Sequence, residues 1–161
     1  MRLVLTALFV VFATLGAFGW SKSSATKSIV AQTTWDYPPI NCSSDLCVIR
    51  FSPGGIIDLF AAQGRQLAAD KTPVIVDGVC LSACTVLVDL ARANVCLTKN
   101  AILGYHKSFQ ASTGLVGEIS YETPGLNAYL DSRGGLPDPT SGPMLLLNFN
   151  EARLFYPACR T

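Results

Sequence analysis

Thr72-Pro-Val-Ile-Val-Asp-Gly-Val-Cys-Leu-Ser82-Ala-Cys-Thr-Val-Leu-Val-Asp-Leu-Ala-Arg92 decides the class of fold. Thr72 to Asp77 is an apolar strand of the kind buried on both faces. Gly78-Val-Cys-Leu81 reads as a turn, and Ser82 to Arg92 as an apolar helix. Upstream, Cys47-Val-Ile-Arg-Phe51 is a short β-branched strand that ends at the break Ser52-Pro-Gly-Gly55. Ile56, Leu59, Phe60, Gln63, Leu67 and Ala68 then recur at helical spacing, which predicts a half-buried helix over Ile56 to Ala69. Downstream, Asn94 to Thr98 and Ala101 to Tyr105 are two more strands. Strand, helix, strand, helix, strand is the order of an α/β fold with right-handed crossovers and covered parallel strands.

The pattern weakens beyond His106. Lys107 to Thr123 is polar and reads as a loop with a short strand near Ile119. Pro124 to Ser132 is expected to be a helix, started by Thr123-Pro124 and stopped by Gly134-Gly135. Leu136 to Gly142 is turn, and Met144 to Phe155 is expected to form the last helix, with Cys159 tying down the end. No internal repeat or low-complexity tract interrupts this single domain.

The chain has 161 residues, 50% of them hydrophobic and 14% charged, which excludes a disordered chain and suffices for one well-filled core. Twelve Lys and Arg against eleven Asp and Glu leave a net charge of +1, with no electrostatic footprint for nucleic acid. The single histidine, His106, excludes a multi-histidine metal site.

Part of the apolar excess lies at the N-terminus. Arg2, the apolar stretch Leu3 to Trp20 and the small residues Ser21-Lys-Ser-Ser-Ala25 read as a secretory signal, cleaved after Gly19 or Ala25. The rival is an uncleaved membrane tether, since Leu3 to Trp20 approaches spanning length. Residues 1–25 are assigned to the signal, 26–41 to an extended lead-in in which Pro38 and Pro39 prevent a helix, and 42–161 to the domain. Arg2 and Lys22 leave with the signal, so ten basic residues then face eleven acidic ones. Cys42, Cys47, Cys80, Cys84, Cys96 and Cys159 all follow it, and an even number behind an export signal points to disulfides. No Cys-x-x-Cys pair supports zinc. Cys42 with Cys47 is a plausible small loop, and the remaining pairings stay open.

Three features carry candidate chemistry. Ser82 opens an apolar helix directly after a strand and turn, where its hydroxyl and the amides of Ala83 and Cys84 meet the positive end of the helix. That suits a nucleophile facing a developing oxyanion, and equally an ordinary N-cap serine. Gly54-Gly55 lets the backbone approach a substrate closely and expose N–H groups to it, or simply makes a tight strand-to-helix turn. His106 ends the strand Ala101 to Tyr105, at the sheet edge where α/β sites form, and is placed to act as general base for Ser82.

Together, Phe51-Ser-Pro-Gly-Gly55, Gly78-Val-Cys-Leu-Ser82-Ala and Ile102-Leu-Gly-Tyr-His106 resemble successive motifs of the proteolytic subunit of Clp-type serine proteases, within the Clp/crotonase superfamily. The spacings, 27 residues from Gly55 to Ser82 and 24 from Ser82 to His106, fit that plan over Cys47 to Lys107. The resemblance implies an α/β spiral of ββα units. It assigns Ser82 as nucleophile, His106 as base, and the amides of Gly55 and Ala83 as oxyanion hole, with Gly54 against the substrate. The family's third member is a downstream Asp; Asp131, Asp138 and Glu151 are candidates, and Asp131 is the choice made on residue type and helix placement. No cofactor or metal is implied.

The chain departs from the family in its C-terminal half, too short for the helix that interlocks Clp rings, and in Cys80 and Cys84, which flank the nucleophile. A disulfide between them would either stiffen the turn or block the pocket. The leading expectation is an exported serine hydrolase, a peptidase acting on peptide or protein in a bacterial periplasm or outside the cell, without an ATP-driven unfoldase partner. The alternative is a catalytically inactive secreted binding or scaffold protein of the same fold. Acyl-CoA chemistry of the crotonase type requires a cytosolic thioester and conflicts with export, and a Cys84 thiol nucleophile conflicts with an oxidising compartment.

Overall fold

The computed structural model describes Ile40 and residues 42–160, all within one compact unit. The expected signal and nearly all of the lead-in lie outside the described residues.

The chain between Cys47 and Tyr105 follows the expected alternation. β1 (Cys47–Ser52), α1 (Ile57–Ala69), β2 (Val74–Leu81), α2 (Ala83–Leu90), β3 (Val95–Leu97) and β4 (Ile102–Tyr105) succeed one another, with a 3₁₀ turn at Arg92–Asn94 across the expected junction of the second helix and the third strand. β1 pairs in parallel along one edge of β2. β3 and β4 share the other edge end to end: Val74–Val76 pair with Val95–Leu97, and Val79–Leu81 with Ile102–Gly104, all parallel.

β2 needs its length to serve both partners, so Gly78-Val-Cys-Leu81 continues the strand rather than turning as expected. The irregularity that Gly78 signals is a bulge, in which Asp77 and Gly78 together oppose Arg50 of β1. A Cβ on Gly78 would stand 2.0 Å from the Arg50 carbonyl oxygen, so no side chain fits there.

After His106 the structure departs further. The loop expected over Lys107 to Thr123, with a short strand near Ile119, contains a hairpin, β5 (Ser108–Gln110) with β6 (Leu115–Gly117), the second strand ending two residues before Ile119, which packs against the core. α3 (Leu126–Ser132) forms as expected but begins after Gly125, whose φ is 77°. The helix expected over Met144 to Phe155 is instead β7 (Leu145–Asn148), antiparallel to β4, followed by the single turn α4 (Phe149–Ala152). Asn148 ends the strand and starts the helix: its side chain accepts from the Asn150 and Glu151 amides at 2.9 and 3.3 Å, while Glu151 accepts from the Asn148 amide at 3.1 Å. The described residues are therefore mixed α/β, with four α-helices and a mixed sheet rather than a wholly parallel one.

The core lies between this sheet and the helices, with Val74, Val76, Leu87, Val88, Leu97, Leu103, Leu126, Leu130 and Leu147 buried. α1 sits on α2 at Gly64, where a Cβ would stand 2.8 Å from the Leu87 carbonyl oxygen. Three disulfides, Cys42–Cys47, Cys80–Cys84 and Cys96–Cys159, use all six cysteines. The last holds the C-terminal segment beside β3, where the Leu97 amide donates to Pro157 and the Cys159 amide to Leu97, both at 2.9 Å. Among the described residues no helix is long and apolar enough to cross a membrane.

Candidate active site

Ser82 follows the last residue of β2, and its amide donates to the Gly104 carbonyl of β4 at 2.8 Å. Its backbone then leaves the sheet with φ 55° and ψ −128°. An N-cap residue ordinarily has β-region torsions and turns its hydroxyl onto the helix amides; Ser82 does neither, for no side-chain cap hydrogen bond forms. Ser82 and Lys71 are the only non-glycine residues with positive φ among those described. A serine so held at a strand-to-helix turn carries its hydroxyl free of its own helix, the arrangement of a nucleophile elbow.

The turn is braced on both sides. Beneath it, the Ser82 carbonyl accepts from the Thr85 amide at 2.9 Å and the Thr85 hydroxyl at 2.7 Å, and Thr85 in turn lies 3.0 Å from the Tyr121 hydroxyl. Tyr121 is 4% exposed, and burial pushes its phenol up to about 12. Above it lies Gly54, with φ 88°: a Cβ there would stand 2.6 Å from both the Leu81 carbonyl oxygen and Ser82 Cβ, and 2.9 Å from the Ala83 nitrogen. Only glycine brings the chain that close to Ser82. The Gly54 amide donates to Ser52 Oγ at 3.3 Å, whereas the Gly55 and Ala83 amides donate to no acceptor among the described residues.

The register Leu81↔Gly104 sets Ser82 beside Tyr105 and puts His106 one step further along the neighbouring strand, with strands about 4.8 Å apart. His106 is half-buried, and its Nδ1 meets the backbone carbonyl of Lys107. A carbonyl only accepts, so Nδ1 carries the proton in that pair and the lone pair of the neutral ring is on Nε2. No hydrogen bond joins Ser82 Oγ to His106 among the described residues. Lys107 is anchored in turn: its amide donates to Pro137 at 3.0 Å and its ammonium pairs with Glu118 at 2.6 Å, the pairing that raises the lysine above its ordinary range.

The three candidate acids have separate surroundings. Asp131 is exposed on α3 and makes no hydrogen bond to His106; it lines an open groove of about 470 Å³ with Lys107, Glu118, Asn127 and Leu136. Asp138 accepts from the Thr140 hydroxyl at 2.7 Å and amide at 2.8 Å, which together with nearby Lys107 lower its carboxyl below the usual range. Glu151 is taken up by Arg133 and the Asn148 cap, and both lower it.

The geometry thus brings together Ser82, Gly54, Gly55, Ala83 and the strand end carrying His106, and leaves Asp131 in the groove. Sequence reasoning did not find the Lys107 carbonyl on the imidazole, nor Thr85 and Tyr121 beneath the elbow. A backbone carbonyl has no signature in residue type, although Thr85 sits one helical turn beyond Ser82, where a back-bonding hydroxyl is a recognisable pattern. Among the described residues no cluster of three or more His, Cys, Asp or Glu is gathered to hold a metal ion. No family model and no curated protein sequence matches the chain.

Proposed function

We propose that the chain is an exported serine hydrolase, a peptidase of Clp-like type, acting through an acyl-enzyme on Ser82. The observation that carries this reading is the positive φ of Ser82 at the end of β2, with its hydroxyl unused as a cap and the amides of Gly55 and Ala83 without acceptors among the described residues. Those torsions are costly for any residue but glycine, and such strained residues cluster at active sites.

In this mechanism Ser82 Oγ attacks the scissile carbonyl carbon while His106 Nε2 removes the hydroxyl proton. The amides of Gly55 and Ala83 receive the oxyanion. Collapse expels the amine, which takes the proton from His106, and water attacks the ester by the same path in reverse. The Lys107 carbonyl keeps Nδ1 protonated, the orienting task that a carboxylate performs in a full triad. In this reading the Ser82–His106 hydrogen bond forms only on substrate binding, catalytic hydrogen bonds being commonly long or poorly aligned in free sites.

An extended peptide is the substrate that suits this edge. Among the described residues β1 pairs with β2 and, at Cys47 alone, with Cys42, so its outer edge beyond Cys47 can add a strand that runs toward Gly54 and Gly55. Phe51, Ile56 and Leu59, exposed by 70, 46 and 51%, give that edge apolar ground for alternate side chains. Export is supported by the three disulfides, which persist in oxidising compartments.

The test is labelling of the purified, disulfide-bonded protein with a fluorophosphonate, beside Ser82→Ala and His106→Ala. Labelling lost in both variants is expected. A folded wild type that never labels would replace the hydrolase with a peptide-binding scaffold, the reading favoured by the unmade Ser82–His106 hydrogen bond. Labelling that survives Ser82→Ala would place the nucleophile elsewhere.

A further inference from the structure

The Cys80–Cys84 disulfide brackets Ser82 by two residues on each side. Cys80 is fixed in the sheet, paired with Ser52 of β1 and Leu103 of β4, while Cys84 is the second residue of α2; both are fully buried. The bridge therefore links the strand that enters the elbow to the helix that leaves it, with a Cα–Cα distance of 5.4 Å. We propose that this disulfide is the positioning element of Ser82, and that its formation arms the site.

Three observations support this. First, a serine at a helix start has an accessible relaxed state, extended in backbone and capping with its own hydroxyl. Its present conformation persists only where the surroundings over-determine it. The Gly104 hydrogen bond, the two Thr85 hydrogen bonds and the Gly54 wedge restrain the turn, and the disulfide is the only covalent restraint across it.

Second, the bridge spans four positions in sequence, against 63 for Cys96–Cys159. So small a loop removes little entropy from the unfolded chain, so its effect falls on local geometry more than on global stability. Third, both cysteines of the link are fully buried whereas Ser82 itself is partly exposed.

The functional consequence rests on the hydrolase reading: the dithiol chain is inactive, and oxidation outside the cytosol switches it on. With glutathione disulfide as oxidant, the Cys80 thiolate attacks one sulfur and releases one glutathione thiolate. The Cys84 thiolate then attacks the Cys80 sulfur and releases the second. Two protein thiols lose two electrons and two protons, and one glutathione disulfide becomes two glutathione thiols. Because both sulfurs are buried in the finished fold, this exchange takes place while the elbow is still open.

The experiment compares the oxidised wild type with Cys80→Ala/Cys84→Ala and Cys42→Ala/Cys47→Ala, the second pair closing a loop of nearly the same size, five positions apart, away from Ser82. Two readouts are taken: the rate of fluorophosphonate labelling across pH, and the sign of the Ser82 φ from the intraresidue amide-to-Hα NOE. The Cys80/Cys84 variant is expected to keep its fold and its other two disulfides, lose the positive φ, and label slower by on the order of 10²-fold, the penalty for misplacing a reacting group by about 1 Å. The Cys42/Cys47 variant is expected to match wild type in both.

A Cys80/Cys84 variant with positive φ at Ser82 overturns the proposal. If the oxidised wild type does not label, the hydrolase reading fails while the φ measurement still decides the positioning role. If the Cys80/Cys84 variant does not fold, wild type is reduced stepwise and the thiols mapped by alkylation and mass spectrometry. Loss of the positive φ in step with opening of Cys80–Cys84 supports the proposal, and loss in step with Cys96–Cys159 alone overturns it.

Discussion

Gly54 and Gly114 both have positive φ, 88° and 70°, yet their environments differ completely. A Cβ at Gly114 meets nothing within 4 Å, whereas at Gly54 it meets Leu81, Ser82 and Ala83 at under 3 Å, two of those three contacts being backbone atoms. Gly114→Ala is therefore expected to cost only the left-handed penalty of about 1–2 kcal/mol. Gly54→Ala adds an overpacking cost of about 1–3 kcal/mol and pushes the Gly54-Gly55 backbone away from Ser82. Chemical denaturation will rank the two variants, and fluorophosphonate labelling will separate them further: Gly114→Ala labels like wild type, and Gly54→Ala does not label. Equal labelling in the two would mean that the closeness of Gly54 to Ser82 has no part in the site.

At the scale of elements, β7 and α4 show how one side chain divides a segment. Leu145-Leu-Leu147 has enough apolar residues for strand or helix, and pairing with β4 decides for strand. Asn148 then halts it by capping α4. Asn148→Ala removes both accepted hydrogen bonds and is expected to cost about 1 kcal/mol. Glu151 keeps the residue 148 backbone amide, Tyr129 and Arg133 as donors, so the loss falls on the first turn of α4, and amide exchange should quicken in Phe149 to Phe155 while β4 stays protected. The elements up to Tyr105 were legible because each carries its own periodicity: β-branched runs in β1 and β2, and helical spacing in α1. That Gly54, Ser82 and the strand end before His106 lie close together was legible because their order along the chain matched the order of their elements. The bulge at Gly78 and the strand β7 were not, since both depend on contacts with residues distant in sequence, Arg50 and the edge of β4. Asp131 was chosen by residue type and helix placement, but which carboxylate meets an imidazole depends on how loops return to the sheet, and the loop that returns beside His106 is Pro137-Asp138.

The whole molecule is closed from two sides, by bridges and by buried phenols. Cys96–Cys159 encloses most of the chain after β3, and a loop of that length is worth about 4 kcal/mol in the chain-entropy account, against about 2 kcal/mol for either short bridge. On the inner side, Tyr105, Tyr121 and Tyr156 are all buried, and Tyr105 stands edge-on to Tyr121 with ring centroids 5.2 Å apart. Burial raises all three phenols, Tyr121 from 10.0 to about 12. The phenol is neutral in its protonated form, so the unfolded chain ionises first as pH rises. Stability is thus full below pH 10 and falls as pH climbs from about 10 toward 12, by on the order of 2–3 kcal/mol for Tyr121 alone. Denaturant midpoints taken across that range should decline steeply, with tyrosinate absorbance appearing at unfolding rather than before it. Tyr121→Phe should flatten part of the decline at a neutral-pH cost of about 1 kcal/mol for the hydrogen bond to Thr85. It should also slow labelling at Ser82, because Tyr121 braces the Thr85 hydroxyl that holds the Ser82 carbonyl. A variant with the wild-type alkaline slope would place the sensitive group elsewhere in the core, with Tyr105 and Tyr156 next to be replaced.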